Sequence, residues 1–378
     1  MTVLITLAYF QGRANFRNLS RFCNLCEKTH GRWARRIFPY LELNRELLLR
    51  TQELDNNWIA SIDASFIPKS GKTTEGLGYF YSGCASKVQR GLEMSLVSVV
   101  DMKANTGFSL LAKQTQVERD ERAPDQNRVD QALNQIRECS SDLRKLGIQE
   151  IVADAWYSKD KFVNGVVAEG FHIIGKLRQD AHLKFLFTGK YEGKGRPRKY
   201  DGRVKMTDFR RFKKTEMKDE TFDLYNKVVW SHSMKRKILV VALRSRDKEK
   251  KVLALLYTTN LDSSPISILK KYRARFQIEF VIRDAKQHTG LTHSQARTSV
   301  AIENHLNQSL TALNLLKVED QQQVPARTQK VISIASWRRQ KFNQHLAKKL
   351  ISMFGFDLNK DKMKEVIKNI GSYGAIAA

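Results

Sequence analysis

The chain has 378 residues, a length that suits two or three domains. Its 42% hydrophobic content is enough for a large buried core and argues against disorder. Lys and Arg number 66 against 39 Asp and Glu, which gives a formal net charge of +27. A charge of this size does not help a chain to fold and indicates a polyanionic partner, with a ribosomal-type or merely basic protein as the alternative.

Two features bear on where the protein works. The apolar opening, residues 3–10, is too short to span a bilayer and has no charged segment before it. It is typical of the inside of a helix, which favours a start of the chain upstream of Met1. The four cysteines are too few for a disulfide framework in a chain of this length, so we expect no membrane attachment and a reducing cytoplasm.

The first 50 residues predict basic helices in which arginines alternate with aromatic residues. This pattern is typical either of a small helical DNA-binding module or of a solvated basic face on a structural helix pair. Cys23, Cys26 and His30 could supply three zinc ligands. No second Cys or His pair follows at finger spacing, so an incidental cluster is favoured.

From Asn57 the pattern changes to β-strands. The apolar run NWIASIDASF predicts a strand and places Asp63 at a strand end. Further strands are predicted at 78–85, 92–100 and 108–112, in the pattern of an antiparallel meander.

Helices and strands then alternate. A 3.6-residue period predicts a helix over 126–146, followed by a short strand that ends at Asp154. A helix at about 159–169 and a strand at 171–177 complete the series. This alternation predicts an α/β fold, a mixed sheet with helices on its faces.

Residues 180–264 interrupt the alternation. The stretch GKYEGKGRPRKYDGR predicts a basic loop, and strands are predicted at 222–230, 237–244 and 251–259, which together indicate a β-rich insertion. Helices are predicted again at 265–288 and 300–317, and the tail from Pro325 is basic and mostly helical.

The segment SGKTT, residues 70–74, is similar to the end of a nucleotide-binding phosphate loop. That loop needs a glycine five residues before its second glycine, where this chain has Phe66. Nucleotide hydrolysis is therefore rejected.

The most informative segment is KYRARFQIEFVIRDAKQHTG. On one continuous helix Tyr272, Arg275, Glu279 and Lys286 would fall within about 60° of each other and form one polar stripe. An adjacent apolar stripe would seat the helix on a sheet, and it contains Leu269, Phe276 and Phe280. The structural alternative is a solvated face with i,i+4 ion pairs between Arg275 and Glu279 and between Glu279 and Arg283.

Two further carboxylates favour a catalytic interpretation. Asp63 and Asp154 each end an apolar strand, where a charge is costly unless it binds something. Together with Glu279 they make an all-oxygen set that suits Mg²⁺, with Mn²⁺ as a substitute. Two such ions, about 3.5–4 Å apart, clamp the attacking and leaving oxygens of a phosphodiester.

These motifs resemble those of the DDE transposases of bacterial insertion sequences, in the group marked by Tyr-x2-Arg-x3-Glu-x6-Lys. Tyr272, Arg275, Glu279 and Lys286 match that signature. SIDASFIPKSGKTT, around Asp63, and VADAWYSKDKF, around Asp154, are similar to the family's two other acidic motifs. The resemblance covers residues 55–318.

The resemblance implies an RNase H-like catalytic core with a β-rich insertion. The expected organisation is a basic helical N-terminal region (1–54), a core in two parts (55–180 and 265–320) around the insertion (181–264), and a basic helical C-terminal region (321–378). Relatives usually have more helical sequence before a stretch similar to RANFRNLSR.

The resemblance also implies cut-and-paste chemistry at terminal inverted repeats. Water cleaves at the element's end, and the freed 3′-hydroxyl attacks the opposite strand to form a hairpin and, after hairpin opening, attacks target DNA. Asp63, Asp154 and Glu279 would be the catalytic metal ligands. The other three signature residues would hold phosphates of the DNA: Tyr272, Arg275 and Lys286. The expected partner is double-stranded DNA, bound by a homodimer on paired ends at the nucleoid of a bacterial cytoplasm.

Other DNA contacts are expected from the insertion. A tryptophan there stacks on a flipped base in some relatives, which makes Trp230 a candidate, with a packed core tryptophan as the alternative. The basic loop offers Arg196, Arg198 and Lys199 as further DNA-binding residues. Two alternative functions remain at this stage: a catalytically silent, transposase-derived DNA-binding protein, and an RNase H-like nuclease that never joins ends.

Overall fold

The computed structural model describes residues 2–52, 54, 57–117, 127–191, 193, 195–218, 220–247, 251–323 and 333–374. The chain divides into two compact units. The first unit comprises Met1–Glu53, Ala64–Asp120 and Gln277–Ala378. The second comprises Leu54–Asp63 and Glu121–Phe276.

Twelve strands lie in the described residues and belong to a mixed sheet. In chain order they are β1 (Trp58–Pro68), β2 (Gly78–Ser82), β3 (Lys87–Asp101), β4 (Thr106–Gln114), β5 (Glu150–Ala153), β6 (His172–Leu177), β7 (Leu183–Leu186), β8 (Tyr200–Arg203), β9 (Lys213–Thr215), β10 (Phe222–Ser231), β11 (Arg236–Ser245) and β12 (Val252–Thr258). The mixed α/β class predicted from the sequence is confirmed.

The described residues also contain eleven α-helices and a short 3-10 turn, Ala155–Tyr157. The helices are α1 (Thr2–Tyr9), α2 (Phe16–Leu19), α3 (Glu27–Ala34), α4 (Tyr40–Thr51), α5 (Arg128–Lys145), α6 (Asp160–Ala168), α7 (Pro265–Ala274), α8 (Gln277–His288), α9 (Ser299–Gln323), α10 (Ile334–Met353) and α11 (Asp361–Gly371). Helices α1 to α4 lie in the predicted helical N-terminal region, and α10 and α11 lie in the predicted helical tail; residues 324–332 and 375–378 of that tail lie outside the described residues.

In the second unit the first part of β1 pairs in parallel with β5, and β5 pairs in parallel with β6. All four residues of β5 are buried, as expected for a parallel strand covered on both faces. The intervening helix α6 packs on α5, where Gly165 leaves room for the Leu133 side chain. The helix predicted over 126–146 is confirmed from Arg128 to Lys145, and Asn127 caps it by accepting from the Val129 and Asp130 amides.

The three strands predicted in the insertion are confirmed as β10, β11 and β12. β12 pairs antiparallel with β6, so these strands extend the sheet of β5 and β6 in the order β6-β12-β11-β10-β7-β8. The junction depends on a glycine, because Tyr257 of β12 lies opposite Gly175 of β6 and is completely buried. A Cβ atom at Gly175 would lie 2.7 Å from the Tyr257 ring.

In the first unit β2, β3 and β4 form the predicted antiparallel meander. Among the described strands β4 pairs only with β3, and side chains of α9 bond to its backbone. Asn307 accepts from the Ala112 amide and donates to its carbonyl, and Asn314 does the same at Ser109. These amides replace a neighbouring strand, which protects an edge that would otherwise expose unpaired groups.

Helix α8 also lies against β4 in the first unit. A Cβ atom at Gly107 would lie 3.1 Å from the Gln277 carbonyl oxygen, so a glycine permits this close approach. The face of α8 toward the core consists of four fully or largely buried residues: Ile278, Val281, Ile282 and Ala285. They pack with apolar residues of β3 and α9 such as Met94 and Leu310.

The prediction of one continuous helix over residues 265–288 is wrong. It breaks at Arg275 and Phe276 into α7 and α8. The Arg275 amide still bonds to the Lys271 carbonyl at i→i+4 spacing, whereas the Phe276 amide bonds to the Arg273 carbonyl at i→i+3 spacing, so the helix tightens where it ends.

Candidate active site

Asp63 lies within β1 and not at a strand end, so that part of the prediction is wrong. The first five residues of the strand, up to Ile62, are buried, and Asp63 is the first partly exposed residue. The apolar pattern therefore marked the end of burial, while backbone pairing continues to Pro68. Asp63 is thus a carboxylate at the point where a core strand meets solvent.

Asp154 follows β5 directly, so its predicted position at a strand end is confirmed. Its Oδ1 accepts a hydrogen bond of 2.9 Å from the Trp156 amide and caps the 3-10 turn. The last registered pair between β1 and β5 is Ile62 with Ala153. Asp63 and Asp154 are the next residues along both strands, and paired residues of neighbouring strands lie about 4.8 Å apart and face the same side.

Two signature residues join this pair in the second unit. The Arg275 Nη1 atom lies 3.2 Å from Asp63 Oδ2, and both side chains are largely buried. The Arg275 guanidinium carbon lies 6.0 Å from the centre of the Tyr272 ring. Burial raises the pKa of the Tyr272 hydroxyl; Arg275 opposes the rise, and the charges of Asp154 and Asp63 add to it. The four residues therefore share one electrostatic environment.

Two salt bridges fix the position of α7, which contains Tyr272 and ends just before Arg275. Lys271 forms a close ion pair with Glu150 of β5, and Arg273 Nη1 lies 2.6 Å from Glu220 Oε1. Sequence reasoning missed both contacts, as well as the one between Arg275 and Asp63. They join residues far apart in the chain, and no local pattern signals them.

The predicted polar stripe on one helix is not formed, because the signature is divided by the break between α7 and α8. Tyr272 is in the last turns of α7 and Arg275 lies in the break, whereas Glu279 and Lys286 are on α8. The predicted apolar stripe is also wrong at Phe276, whose side chain is 50% exposed.

Glu279 and Lys286 belong to the first unit. Glu279 is partly exposed in the first turn of α8. Lys286 is seven residues later, two turns along the same side of the helix. Its Nζ donates to Ser65 Oγ at 2.8 Å and to the Phe66 carbonyl at 3.0 Å. Burial lowers the pKa of this ammonium group.

The residues predicted in the insertion lie elsewhere in the second unit. Trp230 on β10 is half-buried, with its ring centre 5.6 Å from that of Tyr200. Arg198 stacks on Phe187 at 5.0 Å, and its guanidinium pairs with Asp201. Arg196 and Lys199 are exposed. The DNA-binding roles of Trp230, Arg196, Arg198 and Lys199 stay predictions.

Within the described residues no group of three or more His, Cys, Asp or Glu side chains could hold a metal ion. In the zinc-like motif two of the three candidate ligands contact each other. Cys23 Sγ lies 3.4 Å from His30 Nε2, whereas the exposed Cys26 contacts Thr29 Oγ1 at 3.3 Å. Over the same part of the chain, no helix combines the length and the apolar character needed to cross a membrane.

Comparison with known proteins identifies the family of the chain. A family model described as a transposase DDE domain matches residues 57–315, a range that includes all six signature and acidic-motif residues named above. No curated protein matches the sequence. Members of this family generally use divalent metals and act on DNA. The match spans more than half of the chain, so this chain belongs to the DDE transposases.

Proposed function

We propose that the protein cleaves DNA at the terminal inverted repeats of an insertion sequence and joins the freed 3′-hydroxyl ends to target DNA. One observation carries the proposal. Asp63 and Asp154 directly follow a pair of residues that face each other on parallel strands, and Tyr272 and Arg275 lie within electrostatic reach of them. This is a pair of carboxylates beside a phosphate-binding cation and a hydroxyl donor.

Asp63 and Asp154 are donors of the type that divalent cations prefer, and among the described residues no third His, Cys, Asp or Glu side chain completes a metal-holding group with them. Asp63 and Asp154 offer only oxygen ligands, and both of their charges act on one hydroxyl, that of Tyr272. Hard cations such as Mg²⁺ or Mn²⁺ prefer such ligands. The family signature adds Glu279 as the third carboxylate. When bound, two such ions would stabilise charge on the attacking and leaving oxygens of the phosphodiester.

The protein's own groups would position the DNA. Arg275 can hold a phosphate oxygen beside Asp63 through its fork of donors. Tyr272 keeps its proton because its pKa is raised, so it acts as a hydrogen-bond donor and not as a base. Lys286 has its ammonium fixed by Ser65 and Phe66. Ser65 follows Asp63 by two residues in the sequence.

Two substitutions at phosphorus would follow. First a water oxygen bonds to phosphorus as the bond to the 3′-oxygen breaks, which leaves a 3′-hydroxyl and a 5′-phosphate. The 3′-hydroxyl oxygen then attacks another phosphodiester and displaces its 3′-oxygen, which takes up the proton that the attacking hydroxyl loses. The first step converts one phosphodiester into a monoester, whereas the second breaks one phosphodiester linkage as it forms another. Holding the reacting groups in line supplies much of the rate enhancement. A dimer on paired ends, at the nucleoid of a bacterial cytoplasm, completes the proposal.

Conservative variants of the three acidic residues test it. Asp63→Asn, Asp154→Asn and Glu279→Gln should each abolish nicking of end DNA and leave binding nearly unchanged, because affinity comes from Lys and Arg. Asp208→Asn is the matched control in the second unit, since the Asp208 side chain is only partly buried and bonds to Arg210. Nicking and gel-shift assays would use the same preparations.

Each result has a defined meaning. A variant of Asp63, Asp154 or Glu279 that retains nicking removes that residue from the site. Binding without nicking by the wild-type protein in Mg²⁺ and Mn²⁺ would favour the catalytically silent DNA-binding alternative. Nicking without strand transfer would favour a nuclease.

A further inference from the structure

The first unit contains an open, basic pocket that none of the three candidate acidic residues lines. Its volume is about 820 Å³, and three chain segments line it: Arg13, the segment Pro68–Thr74 after β1, and the segment Thr292–Arg297 after α8. The SGKTT stretch rejected as a nucleotide-hydrolysis motif forms most of the second segment. The pocket therefore collects cations and hydroxyls from three separate parts of the sequence.

Hydrogen bonds fix these segments to one another. The Ala14 amide, next to Arg13, donates to His293 Nδ1 at 3.1 Å. Lys69 Nζ donates to the Ser294 carbonyl at 2.7 Å. The Glu75 amide donates to the Arg297 carbonyl at 2.8 Å. The pocket is thus a built feature of the fold and not a gap between loops.

The lining carries positive charge without a described carboxylate. No described Asp or Glu lines the pocket, and no described side chain forms an ion pair with the exposed Arg13, Lys72 or Arg297. Burial, and then the charge of Arg297, lowers the pKa of Lys69. Burial, and then the charge of Arg13, lowers the pKa of His293. Cations that disfavour each other in this way leave the pocket ready for an anion.

The lining also selects the kind of anion. Hydroxyls of Ser70, Thr73 and Thr292 accompany the cations and suit phosphate oxygens. Among the described residues no Leu, Ile, Val, Phe, Tyr or Trp lines the pocket, so Pro68 and the His293 ring are all that a nucleobase would find to pack against. These features favour a phosphodiester backbone over a free nucleotide.

We infer that this pocket binds backbone phosphates of DNA, on a path that continues from Lys286. Within the first unit Lys286 bonds to Ser65 and Phe66 of β1, and Lys69 follows Phe66 by three residues. At about 3.3 Å per residue, the pocket begins on the order of 10 Å further along the chain. The inference rests on the proposed function, since it gives the transposase a second site, in addition to Lys286, that binds phosphates of the DNA strand.

The test compares two double variants of the full-length protein. Lys72→Ala/Arg297→Ala removes two exposed cations from the pocket. Lys362→Ala/Lys368→Ala removes two exposed cations from α11, in the same unit. Binding to a duplex of about 30 base pairs is measured by fluorescence anisotropy in EDTA across a range of salt concentrations. No cleavage is needed, so failure of this inference is separable from failure of the proposed function.

We expect the pocket variant to bind roughly ten-fold more weakly and to lower the slope of log K against log salt by about 1, with little change in the α11 variant. Equal effects of the two variants, or no effect of the pocket variant, would overturn the inference. ATP and inorganic tripolyphosphate are titrated in parallel. Binding of ATP that is much tighter than that of tripolyphosphate and is lost in the pocket variant, with DNA binding unchanged, would overturn it in favour of a nucleotide site.

Discussion

Asp63 and Asp154 come immediately after Ile62 and Ala153, the last registered residues of two parallel strands. Two carboxylates in such positions repel each other, and the cost rises as water is excluded. Arg275 is close to Asp63 and offsets part of this repulsion. Bound divalent cations would offset the remainder, and the consequences for cleavage are measurable.

Cleavage should require Mg²⁺ and accept Mn²⁺, while Ca²⁺ should support DNA binding without turnover. All three ions accept oxygen ligands, but Ca²⁺ takes longer and more variable coordination than an in-line clamp needs. Nicking of end DNA would be followed in each metal and in excess EDTA, with anisotropy to record binding. Full activity in EDTA would contradict metal dependence.

Arg275 and Arg273 provide a matched pair on either side of Ala274. Arg275 contacts Asp63, whereas Arg273 is exposed and pairs with Glu220. Arg275→Ala should lower the cleavage rate strongly, by about 100-fold or more, because aligning the reacting phosphate is worth several kcal/mol of barrier. Arg273→Ala should be mild. Single-turnover rates on end DNA measure both.

Affinity separates positioning from general binding in the same experiment. The Arg275→Ala variant should retain most of its affinity for DNA, since one phosphate contact is a small share of the total. Equal losses of cleavage rate at Arg273 and Arg275 would show that the two arginines serve only as surface ion pairs.

Much of the fold followed from local patterns. Continuous apolar runs identified β1 and β5, and a 3.6-residue period identified α5, because buried faces impose those periods on the sequence. The pairing of β12 with β6 had no local signal, since registers are set by contacts between distant residues.

The candidate site shows where periodicity stops being informative. Helical spacing placed Tyr272 and Arg275 on one stripe with Glu279, but the chain breaks at Arg275 and Phe276. No glycine or proline occupies the break, so the sequence carries no local breaker there. The residue types at the site were predictable from a motif. The ion pair between Arg275 and Asp63, 212 residues apart in the chain, was not.

Gly175→Ala should destabilise the second unit. The new methyl group would lie 2.7 Å from the ring of Tyr257, which is completely buried and has no room to move. Overpacking of this kind costs about 1–3 kcal/mol. Gly83→Ala is the control, because a Cβ atom there meets nothing within 4 Å. Urea unfolding would measure both, and equal midpoints would contradict the tight packing of β6 against β12.

The first unit should lose stability in acid because of a buried histidine, His305. His305 Nε2 lies 2.8 Å from the Gly290 carbonyl oxygen and donates to it, because a carbonyl oxygen only accepts. Burial lowers the pKa of His305 from 6.5 to about 4. Below pH 6.5 the unfolded chain therefore binds a proton that the folded chain does not, so stability falls as the pH drops from about 6.5 to about 4.

His305→Gln tests this because the glutamine amide can replace the Nε2 donor without titrating. The pKa difference corresponds to at most about 3 kcal/mol, and the expected effect is smaller, about 1–2 kcal/mol, because the ring lines a cavity of about 330 Å³ that solvent can enter. Urea unfolding at pH 7.5 sets the reference for each protein, and a series down to pH 4.5 gives the loss. The wild-type protein should lose more stability than the variant over this range, since only the wild-type ring must stay neutral. Parallel losses would mean that His305 takes up its proton in the folded protein as readily as in the unfolded chain.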